Sequence, residues 1–397
     1  MSKVQAQYEA FPYPERNPKD EAKRLITGSP SIPQEMDHHL WGGQWDWSQP
    51  LRALFAGGGT GDGLIQLAQR LTHAGKPYEF TYIDLSTASR QIAEARAKVR
   101  GLDGISFVTG SLLDAPDYGP FDYIDCCGVL HHLPDPLAGL SALKAAIAPN
   151  GGLGFMVYAP YGRSGVYPLQ KAFNTLYGHL PPKSQIKHAK KIFAAIPDGH
   201  PFKRNPHVAD HKQSDAGFYD LLLHSQDRAF RVGEWIDSLE ETGWSLAQFS
   251  QPGLYDIETL TDAPPGLSTV EAMSVAEALR GTIKTHVGYA RRAKDKAPEF
   301  SPLPDRIPHL NNMDPKPLAS AVAAKQLPDL QVGSERFQIS LKPDIAPLIE
   351  AVDGRRCVKE IFEVSGLSGD KALRLWTSLE RAFEPWGLLH YSTVLAH

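Results

Sequence analysis

The stretch Leu51-Arg-Ala-Leu-Phe-Ala-Gly-Gly-Gly-Thr-Gly-Asp-Gly63 constrains the fold of this chain more than any other. Leu51, Ala53, Leu54, Phe55 and Ala56 form a short apolar run that reads as a buried parallel strand. The run stops at a glycine cluster, and helical periodicity follows at Leu64, Ile65, Leu67 and Ala68. Strand, glycine turn and helix bring backbone close to a ligand and leave N–H groups free at a helix start. Alone, the pattern fits any nucleotide-type pocket, or a plain tight turn.

The 397 residues allow one large core and one or two small ones, so two or three domains are expected. A formal charge of -4 gives no electrostatic case for general nucleic-acid binding. Cys126, Cys127 and Cys357 cannot build a disulfide framework and fit a reducing compartment. The start, Met1-Ser-Lys-Val-Gln-Ala-Gln, lacks a signal-peptide apolar region, and no run approaches the roughly 20 apolar residues that span a bilayer. The expectation is a cytoplasmic protein with no membrane partner.

Residues 1–50 read as an irregular arm, rich in proline and aromatic side chains, that packs over the main domain. From residue 51, strands and helices alternate: Phe80–Asp84, a helix from Ser86 to about Val99, Ile105–Val108, Phe121–Cys127, a helix at 136–147, and Leu153–Ala159. Short strand–helix alternation predicts a parallel sheet covered on both faces. Insertions at about 160–230 and 252–280 interrupt a domain expected over 51–293. Within it, Arg231–Thr242 reads as a helix, and Trp244–Ser250 and Lys284–Arg291 as strands. Residues 294–335, dense in proline, read as a linker. Residues 336–397 read as a small winged-helix-like unit with strands at Phe337–Leu341 and Gly387–Tyr391.

The glycines run Gly57-Gly-Gly-Thr-Gly61, which departs from the G-x-G-x-x-G dinucleotide fingerprint and disfavours an NAD enzyme. Asp84 ends the second strand, where a carboxylate accepts from a ribose diol. Gly110-Ser111-Leu112 follows the third strand, and Gly128-Val-Leu-His-His-Leu-Pro-Asp-Pro136 follows the fourth. All these loops lie at the edge where open α/β sheets bind ligands. Residues 51–159, in these motifs and in Tyr82–Leu85, Phe121–Ile124 and Pro149–Gly152, resemble the class I S-adenosylmethionine-dependent methyltransferases.

That resemblance implies a Rossmann-like, seven-stranded, mostly parallel sheet and S-adenosylmethionine as cofactor. It implies cofactor contacts at Gly57, Gly58, Gly59, Gly61, Asp84, Leu85, Ser111, Leu112 and Gly128, with the ribose on Asp84 and the adenine beside Ser111 and Leu112. Two positions depart from the family: Phe55 stands where the first strand often carries an acid, and Ser111 where Asp often flanks the adenine. Gln7–Pro14 is also similar to a segment preceding the glycine loop in bacterial members of the superfamily.

An oxygen or nitrogen acceptor must lose a proton, and His131, His132 and Tyr158 stand beside the expected pocket as candidates for that chemistry. At least one of the two histidines is expected to bond a backbone carbonyl and only shape its loop. Tyr8, Phe11, Tyr13, Arg163 and His224 are candidate substrate contacts, the arm residues as a lid that excludes water. His207, Asp210, His211, Asp215 and Asp220 form a further polar group. The i, i+4 pair His207 and His211 suits a metal only if helical, and no metal is expected. Lys183–Lys191 reads as a solvated basic helix face.

The C-terminal unit carries eight Lys/Arg and eight Asp/Glu from Arg336 onward, so protein docking or dimerisation is preferred over DNA. The leading reading is methyl transfer to an O or N acceptor on a protein or peptide. The alternatives are a small-metabolite methyltransferase and a catalytically silent binding or regulatory protein of the same fold.

Overall fold

The computed structural model describes residues 2–326, 329–332 and 335–395. Met1, Leu327, Pro328, Gly333, Ser334, Ala396 and His397, which fall in the stretches read as arm, linker and C-terminal unit, lie outside the described residues.

The arm is more ordered than its prolines suggested. It holds α1 (Lys3–Ala10), whose first turn is capped by the Ser2 hydroxyl accepting from the Gln5 N–H, and α2 (Pro33–Trp41). Proline is tolerated at the first helical position, where its missing N–H has no partner to lose, so Pro33 starts α2 and Gly42 ends it with φ of 65°.

The chain then builds β1 (Leu51–Ala56), α3 (Asp62–His73), β2 (Tyr78–Asp84), α4 (Thr87–Arg100), β3 (Ile105–Thr109), β4 (Phe121–Cys127), α5 (Pro136–Ala146) and β5 (Ile147–Tyr158). An all-helical insertion follows: α6 (Val166–Tyr177), α7 (Pro182–Ala195), α8 (Pro201–Arg204) and α9 (Asp215–Leu222). It has its own core around Phe173, Phe202, Phe218 and Leu222. The sheet resumes through α10 (Val232–Glu241), β6 (Trp244–Phe249), α11 (Thr269–Arg280) and β7 (Thr285–Arg292).

The seven strands lie in the order β3-β2-β1-β4-β5-β7-β6. β1 to β5 are parallel, and β7 runs antiparallel to both of its neighbours. Alternating side chains serve two cores, as a pleated strand covered on both faces requires. Leu54, Ile124 and Phe155 face Trp235 and Trp244 on one side. Ala53, Phe55 and Tyr123 face α2 and α3 on the other, with Met36, Leu40, Leu64 and Leu67. The fold is a Rossmann-like seven-stranded sheet, as the sequence led us to expect.

The C-terminal region comprises β8 (Pro308–Leu310), α12 (Pro315–Ala323), β9 (Leu330–Val332), β10 (Glu335–Phe337), α13 (Ala346–Glu350), α14 (Val358–Val364), α15 (Gly369–Phe383) and β11 (Leu389–Tyr391). Two expectations change here. The strand expected over Phe337–Leu341 is limited to Glu335–Phe337 and pairs with β9, while the closing strand β11 pairs with β8. Part of the stretch read as linker is built into this unit: Ala319 and Val322 on α12 pack into the same core as Ile349, Val358, Trp376 and Leu379. The prolines misled because Pro315 sits at the N-terminus of α12 behind the Asp314 cap, where it favours a helix.

The end of the chain docks on the arm. Asp37 of α2, fully buried, accepts from the Trp47 indole (3.0 Å), the Trp45 N–H (2.9 Å) and the Ser392 hydroxyl (2.6 Å). Burial raises its carboxyl to about 6 although each of these donors pulls it down.

Candidate active site

A cavity of about 1190 Å³ opens at the C-terminal ends of β1, β2, β4 and β5, beneath the arm. Small-molecule pockets are typically ~300–1,000 Å³, so this one has room for more than a single small ligand. Its floor is the glycine loop. Gly57 takes φ of 71°, and a Cβ there would stand 2.6 Å from Val129 Cγ2. A Cβ at Gly58 would run into the Tyr82 ring. Only glycine lets the loop lie this low, which is what opens the cradle.

Asp84, at the end of β2, accepts from the Gly59 N–H and the Ser86 N–H, both at 2.8 Å. Burial raises its carboxyl above the ordinary range and the two N–H donors oppose this. Each oxygen still has a lone pair to offer, so the group suits a diol. Ser111 caps the short helical turn after β3, its hydroxyl accepting from the Leu113 N–H (3.1 Å). That use leaves the side chain fixed at the cavity wall beside Leu112.

Of the expected cofactor residues, Gly57, Gly58, Gly59, Asp84, Leu85, Ser111, Leu112 and Gly128 line the cavity, and Gly61 does not. Gly61 is the N-cap of α3 with φ of 97°, and a Cβ there would meet Ala93 of α4. It lets two helices approach each other and does not form the cavity wall.

Asp125 was not anticipated. It stands opposite Phe55 in the β1–β4 register, so the acid missing from β1 is present one strand away at the same height. It lines the cavity, and its Oδ2 accepts from the hydroxyls of Ser29 (2.8 Å) and Ser31. Burial pushes its carboxyl up and the two serines draw it back. An acid near the C-terminal end of a buried strand, two residues before its last residue Cys127, was the available signal.

Across the cavity from the glycine loop lies a compact polar cluster. Asp220 of α9 is buried and accepts from two tyrosines: Tyr8 at Oδ1 (3.0 Å) and Tyr158 at Oδ2 (3.3 Å). His224 accepts at Nδ1 from the Gln226 N–H, so its proton sits on Nε2, which donates to Tyr8 Oη (3.2 Å). His132 stacks on His224 with ring centroids 3.7 Å apart. His132 Nδ1 donates to the Gln226 carbonyl (3.0 Å), which leaves Nε2 with a free lone pair. One ligand atom from each of His132, Asp220 and His224 lies within 4.8 Å of the others. Burial raises the Asp220 carboxyl and holds His224 well below its ordinary value, hence neutral.

Four expected catalytic or substrate residues sit elsewhere. His131 is fully buried behind the wall, stacked on Tyr158 at 3.8 Å, with neither ring nitrogen bonded and its pKa forced down by burial. Arg163 is buried beneath Tyr158, 3.5 Å from the ring centroid, and pairs with Asp227 (3.0 Å). Phe11 stacks on Tyr219 and anchors the arm (5.2 Å). His224 stands behind Tyr8, while Tyr8, Tyr13, His132, Tyr158 and Asp220 face the cavity. His207 and His211 share no helix, and His211 packs on Phe202 (4.9 Å).

The arm is locked over the cavity by ions the sequence did not pair. Arg16 grips Asp62 at the start of α3 with three bonds, Nε to Oδ1 (3.0 Å) and Oδ2 (3.2 Å) and Nη2 to Oδ2 (2.7 Å). Arg96 of α4, wholly buried, binds Asp62 (2.6 Å), Glu21 (2.6 Å) and the Thr60 carbonyl (2.7 Å). Glu9 of α1 accepts from the Thr87 N–H at the start of α4 (2.5 Å), a favourable place for a carboxylate.

Fold and cavity together define a domain of the class I methyltransferase type. Residues 54–153 match a family described as a methyltransferase domain. An uncharacterized protein of Synechococcus sp. is 31% identical over 268 residues, 62% of this chain and 59% of that protein, so the chain spans less than two thirds of that relative. The tRNA 5-carboxymethoxyuridine methyltransferase of Escherichia coli is 31% identical over 117 residues, 29% of this chain and 42% of that protein. In overall fold the chain is similar to PKMT2 from Rickettsia typhi, with a TM-score of 0.64 at 14% identity over 94% of this chain and 78% of that one. Among the described residues, no helix is long and apolar enough to cross a membrane.

Proposed function

We propose that this protein transfers a methyl group from S-adenosylmethionine to a nitrogen or oxygen nucleophile on a protein or peptide. The observation that carries the reading is the single cavity in which the glycine cradle, Asp84 and Asp125 face the Tyr8–Asp220–His132 cluster. S-adenosylmethionine supplies a sulfonium methyl group already activated for displacement. In this reading Gly57, Gly58, Gly59 and Gly128 admit the methionine portion, Asp84 and Leu85 hold the ribose, and Ser111 and Leu112 flank the adenine. Asp125 takes the α-ammonium, a cation that a buried carboxylate suits.

His132 Nε2 is the acceptor for the nucleophile's proton, because Nδ1–H is committed to Gln226. Tyr8 and Tyr158 hold Asp220 at the wall, where its carboxylate orients a donor on the acceptor group. The arm excludes water from above. Glu15 and Asp210 line the cavity's outer part beside Asp20 and Asp215, which pair with Lys23 and Lys190, and the two carboxylates without such a lysine suit a basic acceptor. The volume beyond one small ligand, together with the accessory C-terminal unit, favours a polypeptide over a metabolite.

The test is calorimetric titration with S-adenosylmethionine, with Gly59→Arg as control, followed by transfer of labelled methyl to a whole-cell extract that is then separated into polypeptide and small-molecule fractions. Binding that the control abolishes, with label in polypeptide, is the expected result. Label only in small molecules overturns the acceptor, and no binding at millimolar cofactor overturns the enzyme.

A further inference from the structure

Glu35 and His39 stand four residues apart on α2, about one helical turn, so their side chains leave the same face. His390 on β11 reaches that face from the C-terminal unit. One ligand atom from each of the three lies within 4.8 Å of the others. Glu35 is 4% exposed and His390 2%. The Nε2 atoms of His39 and His390 are both closed to solvent, and neither has a hydrogen-bond partner. Two orphaned imidazole nitrogens beside a buried carboxylate need a cause, since buried polar atoms are nearly always satisfied.

Among the described residues nothing bonds either imidazole nitrogen. The hydroxyls of Ser250 and Tyr289 and the Arg70 guanidinium act on the Glu35 carboxyl instead, and Glu35 forms no ion pair among the described residues. The strand bearing His390 is positioned independently: the Tyr391 N–H donates to His38 Nδ1 (3.0 Å), and His309 Nε2 donates to the Ser392 carbonyl (3.0 Å).

We propose that Glu35, His39 and His390 bind one divalent transition-metal ion of the zinc class, which ties α2 to the C-terminal unit. Two neutral imidazoles and a carboxylate form a borderline nitrogen–oxygen set, and three protein ligands leave a fourth tetrahedral place for water. Zinc–ligand bonds of about 2.0–2.1 Å require ligand atoms roughly 3.4 Å apart, so small side-chain rotations close the site on the ion. The group His132, Asp220 and His224 has the same composition but not the same need. There both nitrogens of His224 are bonded, whereas the Nε2 atoms of His39 and His390 are not.

The experiment uses the full-length chain, stripped with a chelator and titrated with Zn²⁺ against a chromophoric indicator, then with Co²⁺ while following its visible absorption. One tight equivalent is expected for the parent chain. His39→Gln and His390→Gln should each weaken it by about 100-fold or more, whereas His224→Gln should retain it. Glu35→Gln, which keeps size and hydrogen bonding, should weaken it similarly. If the histidine variants do not fold, an anomalous-scattering peak in zinc-bound crystals of the parent chain decides the matter. Absence of a tight equivalent, its loss in His224→Gln, or a peak away from α2 and β11 overturns the proposal.

Discussion

Asp125→Asn separates the two carboxylates of the cradle and tests the cavity at its least expected point. The substitution keeps shape and one acceptor oxygen for Ser29 and Ser31, and removes only the charge. At 4 Å and an effective dielectric of 20, a carboxylate and an ammonium attract by about 4 kcal/mol before desolvation. A charge-assisted bond retains about 1.5–3 kcal/mol of that net. The affinity for S-adenosylmethionine should therefore fall by about 10- to 150-fold. Adenosine lacks the methionine portion, so its affinity should change by less than about threefold. Asp84→Asn should weaken both ligands, because it stands at the ribose.

The assay is calorimetry with the two ligands on the two variants, at matched thermal stability. Asp125→Asn binding S-adenosylmethionine within about threefold of the parent chain, or weakening adenosine as much, would refute the assignment. The pH dependence has a definite sign. Burial raises the Asp125 carboxyl, and a cationic ligand needs it ionised, so affinity is full above the raised pKa and is lost as pH falls through it. The loss should begin at a higher pH than for an ordinary aspartate, and Asp125→Asn should abolish that limb.

Tyr8→Phe removes the hydroxyl shared by Asp220 and His224 while keeping the ring, so cofactor affinity should hold and transfer should slow by about tenfold or more, read as S-adenosylhomocysteine release. Gly57→Ala meets a left-handed backbone cost of about 1–2 kcal/mol and an overlap with Val129 worth about 1–3 more. It should lower the melting temperature and weaken cofactor binding, and an unchanged Kd would contradict the tight loop. Arg163→Met strands the buried Asp227, which among the described residues keeps its bond from Gln170 alone, and should cost about 3 kcal/mol of stability in denaturant titration. A raised acceptor KM without that loss would return Arg163 to the substrate site.

The elements with a local cause were legible. Apolar runs ending in glycine or aspartate marked β1, β2 and β4, and α14 and α15 follow the apolar periodicity of their own residues, which fixes helices locally. Gly57, Asp84 and Ser111 reach the cavity because each stands at or just after the end of a strand that the pattern shows. Proline density was the misleading signal, since it marks helix starts such as Pro33 and Pro315 as readily as linkers.

What the sequence alone determined is therefore the run of strands and helices, the glycine turn and the edge of the sheet where a ligand sits. Only the tertiary structure decided which polar residues meet there. His131 and His132 are adjacent in sequence, but the loop after β4 turns one ring behind Tyr158 and the other into the cavity. Asp125 comes level with Phe55 through strand register, and Tyr8 finds Asp220 across 212 residues. Such partnerships depend on packing between distant segments, and no local pattern of hydrophobicity or turn chemistry encodes which side chain a fold will bring opposite another.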